Sequence, residues 1–165
     1  MDVVRSRWPS TPDQADSAAG LACRAVEGPV ELGTHLRIRQ AVFVDEQGMF
    51  AGSDTDAHDD DAATVHVLGL DDGVPAGTVR LYPLGDGVWK GDRLAVLPEH
   101  RHSGGLGAVL VRYAVATAGA LGGERMVAQI QLGNVRFFRA LGWSAVGEPA
   151  DYLGLLHQQM SIPLR

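Results

Sequence analysis

The hydrophobic pattern changes period several times along the chain, and each change marks an element. "LACRAVEG" sets Leu21, Cys23 and Ala25 against polar neighbours, the two-residue repeat of a strand, and stops at Gly28 and Pro29. "ELGTHLRIRQAVFVDEQG" then places Leu32, Leu36, the Arg39/Gln40 step and Phe43 near helical spacing. That spacing predicts a helix of about three turns ending near Gly48. Residues 49–61 lose all periodicity and turn rich in Gly and Asp, the chemistry of a solvated loop. "ATVHVLGL" and "VPAGTVRLYPL" return to alternation around Asp71, Asp72 and Gly73, a strong hairpin signal, and "GVWKGDRLAVL" reads as a third strand of the same meander.

A knot of His, Arg, Ser and Gly follows, and then a helix that carries Leu106, Val109, Leu110, Tyr113, Thr117 and Leu121 on one face. "RMVAQIQL" is a strand. "NVRFFRALG" is a short helix with Asn134 as N-cap and Gly142 as its stop, and "WSAVGE" and "LHQQMSIPL" are two closing strands. The order predicts an α/β (α+β) fold with a mixed sheet, not a doubly wound one, and 165 residues suit one domain over residues 21–165. Residues 1–20, rich in Pro, Ser, Asp and Ala and without period, read as a flexible N-terminal arm.

Charge and composition narrow the function. Twenty Asp and Glu against fourteen Lys and Arg give a net charge of −6, and no basic run exists, so nucleic acid is not an expected partner. The single cysteine, Cys23, cannot form an internal disulfide, which fits a reducing, cytoplasmic setting, and it reads as a core residue. The polar, proline-broken N-terminal segment does not resemble a secretion signal. The longest apolar tract, residues 106–121, contains Arg112 and is shorter than the ~20 residues a membrane span needs. "DTDAHDDD" lacks the Gly and Glu of a calcium loop, and no zinc-ligand spacing occurs, so no metal is expected.

The glycine knot carries the chemistry. Gly104, Gly105 and Gly107 precede a helix, so backbone N–H groups and the helix dipole can hold an anion, with His100, Arg101 and His102 as added donors. Plain helix-start packing is the alternative. The Lys-Ser/Thr pair of a nucleotide P-loop and the G-x-G-x-x-G spacing are both absent.

"RLAVLPEHRHSGGLGAVLVRYAVATA" resembles motif A of the GNAT acyltransferases, where a Q/R-x-x-G-x-G/A loop holds the pyrophosphate of acyl-CoA. Aligned on the last two glycines, His102 takes the Arg/Gln position; aligned on Arg101, the loop is one residue longer. "RIRQAVFVDEQGMF" resembles the R-x-x-V-F-x-x-E-Q region of the ElaA-like branch, also echoed in acyl-homoserine-lactone synthases, and "QLGNVRFFRALGW" resembles motif B. The resemblance implies a mainly antiparallel sheet of about six or seven strands flanked by about four helices. It also implies transfer of an acyl group, foremost acetyl from acetyl-CoA, to a small-molecule amine.

By the same resemblance, a backbone N–H at Leu94, Ala95 or Val96 binds the thioester carbonyl. Arg101, His102, Ser103, Gly104, Gly105, Leu106 and Gly107 surround the phosphates, and Asn134 and Phe138 flank the cofactor arm. Phe138 stands where many relatives carry a general-acid Tyr, which leaves Tyr152 as a substitute acid. Asp92 and His66 are the candidate bases; Asp92 could equally be paired with Arg80 or Arg93, and His66 could be a hydrogen-bonded core residue. Arg39, Glu46, Gln47 and His157 are expected at the acceptor site, with a structural pair between Glu46 and Arg37 or Arg39 as the other reading of Glu46. Rival functions are a long-chain N-acyl amino acid or lactone synthase and a CoA-binding sensor without catalysis. A homodimer is a common closed assembly for such a chain.

Overall fold

The computed structural model describes residues 20–101 and 105–164. The expected arm, apart from Gly20, and the phosphate contacts assigned to His102, Ser103 and Gly104 lie outside the described residues. Strands β1 (Leu21–Ala25), β2 (Val65–Asp71), β3 (Val74–Gly85) and β4 (Val88–Val96) follow one another across the sheet as antiparallel neighbours. Beyond them β5 (Arg125–Gln131) pairs parallel to β4, and β8 (Leu155–Pro163) pairs antiparallel to β5. Two short strands, β6 (Ser144–Ala145) and β7 (Ala150–Tyr152), both pair with β8. The sheet has eight strands where six or seven were expected, because the closing segment contains the extra hairpin arm β7.

Three α-helices are formed among the described residues: α1 (Gly28–Arg39), α2 (Leu106–Ala120) and α3 (Val135–Ala140). Helix α1 begins earlier than its apolar pattern suggests, because Pro29 is tolerated in the first turn and the Glu31 carboxylate accepts from the Glu27 amide at 3.0 Å. Past Arg39 the helix widens into a π-helical stretch, Gln40–Glu46, with Gln47 N–H donating to the Val42 carbonyl at 2.9 Å. Gly142 ends α3 at φ 95°, as expected, whereas the Asn134 side chain makes no cap bond.

Neighbouring residues of β2 face different cores. Val67 joins the main cluster with Leu106, Val109 and Leu110 of α2, while Leu68 joins Ile38, Val42 and Phe43. So α2 covers one face of the sheet, and α1 with its π-helical extension covers the other. Helix α2 lies close because Gly77 has no side chain: a Cβ there would sit 2.8 Å from Leu110 Cδ1 and 2.9 Å from the Ala95 carbonyl. Cys23 packs against this core, and burial pushes its thiol up to about 12, so it stays protonated and unreactive.

Candidate active site

Strands β4 and β5 pair only over residues 88–90 and 125–127, although β4 runs on to Val96 and β5 to Gln131. The sheet therefore opens as a V. A cavity fills the V, with Asp92 and Leu94 on one wall, Gln129 and Gln131 on the other, and apolar Met126, Phe138 and Trp143 inside. It passes through the sheet: Val111 and Ala114 of α2 line it on one side, and Phe43 of the π-helical stretch, with Gln47 and Met49 just after it, on the other. Gln131 Nε2 reaches across to Gln47 Oε1 at 3.4 Å. The indole N–H of Trp143 is buried without an acceptor among the described residues.

A bulge shapes the β4 wall. Between the Arg80↔Asp92 and Thr78↔Ala95 pairs, β4 has one residue more than β3, and Arg93 takes φ 53°, a left-handed conformation that costs a non-glycine residue ~1 kcal/mol or more. Strict alternation along this strand does not hold, and both Arg93 and Leu94 line the cavity. The strained residue is held by Thr78 Oγ1, which donates to its carbonyl at 2.9 Å, by its own donation to the Asp54 carbonyl at 2.9 Å, and by the Phe50 ring 4.5 Å from its guanidinium.

Beneath that wall lies an ionic network. Arg39 Nε donates to Asp54 at 2.7 Å, and its terminal nitrogens donate to Asp59 at 2.7 and 3.1 Å. Arg80 binds both oxygens of Asp92 at 2.8 and 2.7 Å and reaches Asp56 at 2.6 and 3.0 Å. Arg93 Nε stands 3.1 Å from Asp54 but is not aligned for a hydrogen bond. The expected solvated loop is therefore wrong at Asp54 and Asp59, whose buried carboxylates neutralise arginines that the core encloses. Burial raises Asp59, but hydrogen bonds from His66, Arg39 and the Asp56 amide outweigh it and hold the carboxyl far below its usual range.

The candidate residues divide accordingly. Asp92, Leu94, Gln47, Asn134, Phe138, Tyr152 and His157 meet at the cavity. His66 does not line it: its Nε2 lies 3.0 Å from Asp59 in the ionic network. Arg39 is fully buried there too, its guanidinium committed to aspartates, so it offers nothing to a substrate. Glu46 pairs with neither Arg37 nor Arg39 but takes Arg101 side-on at 2.7 and 2.5 Å, while Arg101 Nε donates to the Val96 carbonyl at 2.8 Å. Ala95 is buried in the second core and Val96 ends β4. Gly105 is the N-cap of α2, followed by buried Leu106 and by Gly107 in its first turn.

The network gives a pH dependence through His35. Its Nδ1–H donates to the Val67 carbonyl at 3.1 Å, and its ring meets His66 edge to face at 4.9 Å. Burial first, then the charges of His66 and Arg39, push it down to about 3. The unfolded chain binds this proton below pH ~6.5 and the folded chain does not, so stability is full above ~6.5 and falls as pH drops toward 3. Between pH 7 and 4.5 the loss from this group is about 2 kcal/mol. Denaturant titrations at the two pH values are expected to show that loss, and a smaller one in His35→Gln; equal losses would mean His35 is not the responsible group.

An open seam between two parallel strands, leading to the glycine N-terminus of a helix, suits a ligand with an extended arm and an anionic end. The profile of the Acetyltransferase (GNAT) family matches residues 34–143. The chain belongs to this family. It is an acyltransferase, and the family's acyl-CoA donor suits the seam. The Bacillus subtilis protein YjcF, an uncharacterized N-acetyltransferase, is 29% identical over 125 residues, 74% of this chain and 86% of the relative. A Lactobacillus plantarum structure described as a candidate N-acetyltransferase aligns with TM-score 0.79 and 25% identity over 88% of this GNAT chain and 99% of that one. Escherichia coli ElaA shares the fold at TM-score 0.74 and 21% identity, covering 86% and 98% of the two chains. FeeM, an N-acyl amino acid synthase from uncultured soil microbes, shares it at 0.73 and 14%, covering 87% and 90%.

Sequence reasoning missed Lys90 and Trp143 at the cavity. The signal for Lys90 was present: it lies two residues from Asp92, on the same face of the strand.

Proposed function

We propose that this chain transfers an acetyl group from acetyl-CoA to a small-molecule amine by direct attack, in the cytoplasm and without a metal. The observation that carries the reading is the seam between β4 and β5, which leaves one edge of β4 unpaired just before the N-terminus of α2. Unpaired strand edges offer backbone donors and acceptors to an extended amide-containing arm. Gly105 and Gly107 let phosphates approach the helix N-terminus, with Arg101 at hand once it exchanges Glu46 for phosphate. A backbone N–H at Leu94, Ala95 or Val96, beside the bulge, stabilises the thioester oxygen as it becomes anionic.

His157 supports the acid-base assignment. Its Nδ1–H donates to the Leu155 carbonyl at 2.9 Å, so Nε2 carries the lone pair and can take the proton of the attacking amine. Tyr152, packed edge to face on His157 at 5.2 Å, then supplies the proton that the departing thiolate needs, a role Phe138 cannot fill. Asp92, bound through both oxygens to Arg80, orients the wall and does not serve as the base.

The test is release of free CoA from acetyl-CoA in the presence of a panel of primary amines. Turnover with at least one amine, suppressed in Tyr152→Phe, is the expected result. Binding of acetyl-CoA without release from any amine would favour the sensor, and preference for long acyl donors would favour the synthase.

A further inference from the structure

Of the network's three arginines, Arg39, Arg80 and Arg93, only Arg93 lines the cavity, and all three are already matched with aspartates. Lys90 differs. It sits at the apex of the V, where β4 last pairs with β5 across from Val127, and its half-buried side chain lines both this cavity and a second recess beside Tyr82 and Gln129. Its partners are neutral: Tyr152 Oη at 3.5 Å, with the Tyr152 ring centroid at 5.4 Å. Among the described residues no carboxylate lies within ion-pair distance of Lys90, since the nearby Asp92 is held through both oxygens by Arg80. Burial alone would lower this ammonium's pKa, but the oxygens of Tyr82, Tyr152 and Asp92 outweigh it, so the charge is retained at neutral pH.

A partly desolvated cation without a counter-ion gains more from an incoming anion than an exposed or already paired one does. Side chains two apart on a strand leave the backbone about 7 Å from one another on the same face. An acceptor whose amine lies by the Asp92 and Leu94 wall would thus bring a group one to three bonds away toward Lys90. We propose that Lys90 is the carboxylate-recognition residue of the acceptor site, and that the acceptor is an amino-carboxylate: an amino acid or short ω-amino acid in which the free amine is acylated. This rests on the acyl-transfer reading above.

The chemistry balances simply. The amine nitrogen forms the amide bond as the carbon–sulfur bond breaks, the amine loses one proton, the thiolate gains one, and the carboxylate stays untouched as a handle.

The experiment compares matched acceptors with and without the carboxylate, such as amino acids against their amides, in the wild type and in Lys90→Met and Lys90→Arg. The wild type is expected to favour the acid at least tenfold in kcat/KM. Lys90→Met should abolish that preference, lowering kcat/KM for the acid at least tenfold more than for the matched amide, and Lys90→Arg should restore part of it. Equal use of acid and amide by the wild type, or equal loss of both in Lys90→Met, would overturn the proposal. A second arm does not depend on turnover: calorimetric titration of N-acetyl amino acids into the CoA-loaded protein. Binding that weakens tenfold or more in Lys90→Met supports the site even if no acceptor turns over, which would count against the acetyl-transfer reading alone. No binding, or binding indifferent to Lys90, removes the site.

Discussion

Replacing Arg80 by methionine is expected to lower the melting midpoint by about 10 °C or more at pH 7. Arg80 is fully buried, and it donates to Asp92, Asp56 and Asp59 through bonds of 2.6 to 3.1 Å. Methionine fills much of the volume but leaves those carboxylates facing each other without their cation. Breaking a buried ion pair from one side costs ~3–5 kcal/mol, and each kcal/mol moves the midpoint of a chain this size by ~2–4 °C. The contrast is Arg24→Ala: Arg24 pairs with Glu31 at the surface, and its loss should move the midpoint by less than about 2 °C.

Acid adds a second signature for the same variant. Burial raises the pKa of Asp56 and Asp59, but hydrogen bonds outweigh it, from Arg80 at Asp56 and from His66 and Arg39 at Asp59, so both carboxyls titrate below their unfolded value. A depressed folded pKa contributes stability above about pH 4 that is lost as pH falls further. Without Arg80 the depression at Asp56 shrinks, so the decline below pH 4 should be shallower in the variant. A midpoint loss of only a few degrees, or an unchanged acid limb, would mean the network does not hold the loop.

The other large effect is on donor binding. Gly107→Asp should weaken acetyl-CoA binding about 100-fold while leaving the fold intact. Among the described residues a Cβ at Gly107 meets only Phe137 Cζ at 3.6 Å, an ordinary contact, and an acidic side chain in the first turn favours α2 by ~0.3–1 kcal/mol. The same carboxylate would stand against a pyrophosphate. Two unit charges ~5 Å apart at an effective dielectric of ~20 repel by about 3 kcal/mol, which is roughly two factors of ten in affinity. Titration calorimetry with acetyl-CoA reads the affinity, and a melting curve reads the fold. Undiminished binding would place the phosphates elsewhere.

What could be read in advance follows from how local each signal is. Alternation in β2, β3 and β4, the apolar face of α2 and the stop at Gly142 report on neighbours in sequence, and the elements formed where those patterns lie. The V between β4 and β5 leaves no mark in the residue pattern, because a strand that stops pairing halfway has the same pattern as one that does not. The bulge at Arg93 has no glycine to announce it. The ionic network was misjudged for a related reason. "DTDAHDDD" looks like a water-loving loop until Arg80 is seen between Val79 and Leu81 in a strand whose neighbours are both buried. A buried cation in a strand and an acidic run nearby in sequence are two halves of one signal. Arg39 and His66 fell on the wrong side of the wall for that reason: each carries polar groups suited to a substrate, and each spends them on aspartates. Lys90 is the converse case, a residue outside every motif whose ammonium meets a neutral tyrosine where the arginines meet aspartates.

The central claim, that an acyl-CoA lies in the seam with its phosphates at α2, is tested most directly by melting the wild type and Gly107→Asp with acetyl-CoA, using NAD and ATP as controls. At about a hundred times the dissociation constant, a ligand stabilises by ~2.7 kcal/mol, a rise of roughly 5–10 °C for this chain. That rise is expected for the wild type with acetyl-CoA only, and its absence in the variant. No rise at millimolar acetyl-CoA, an equal rise with NAD or ATP, or an equal rise in Gly107→Asp would contradict it.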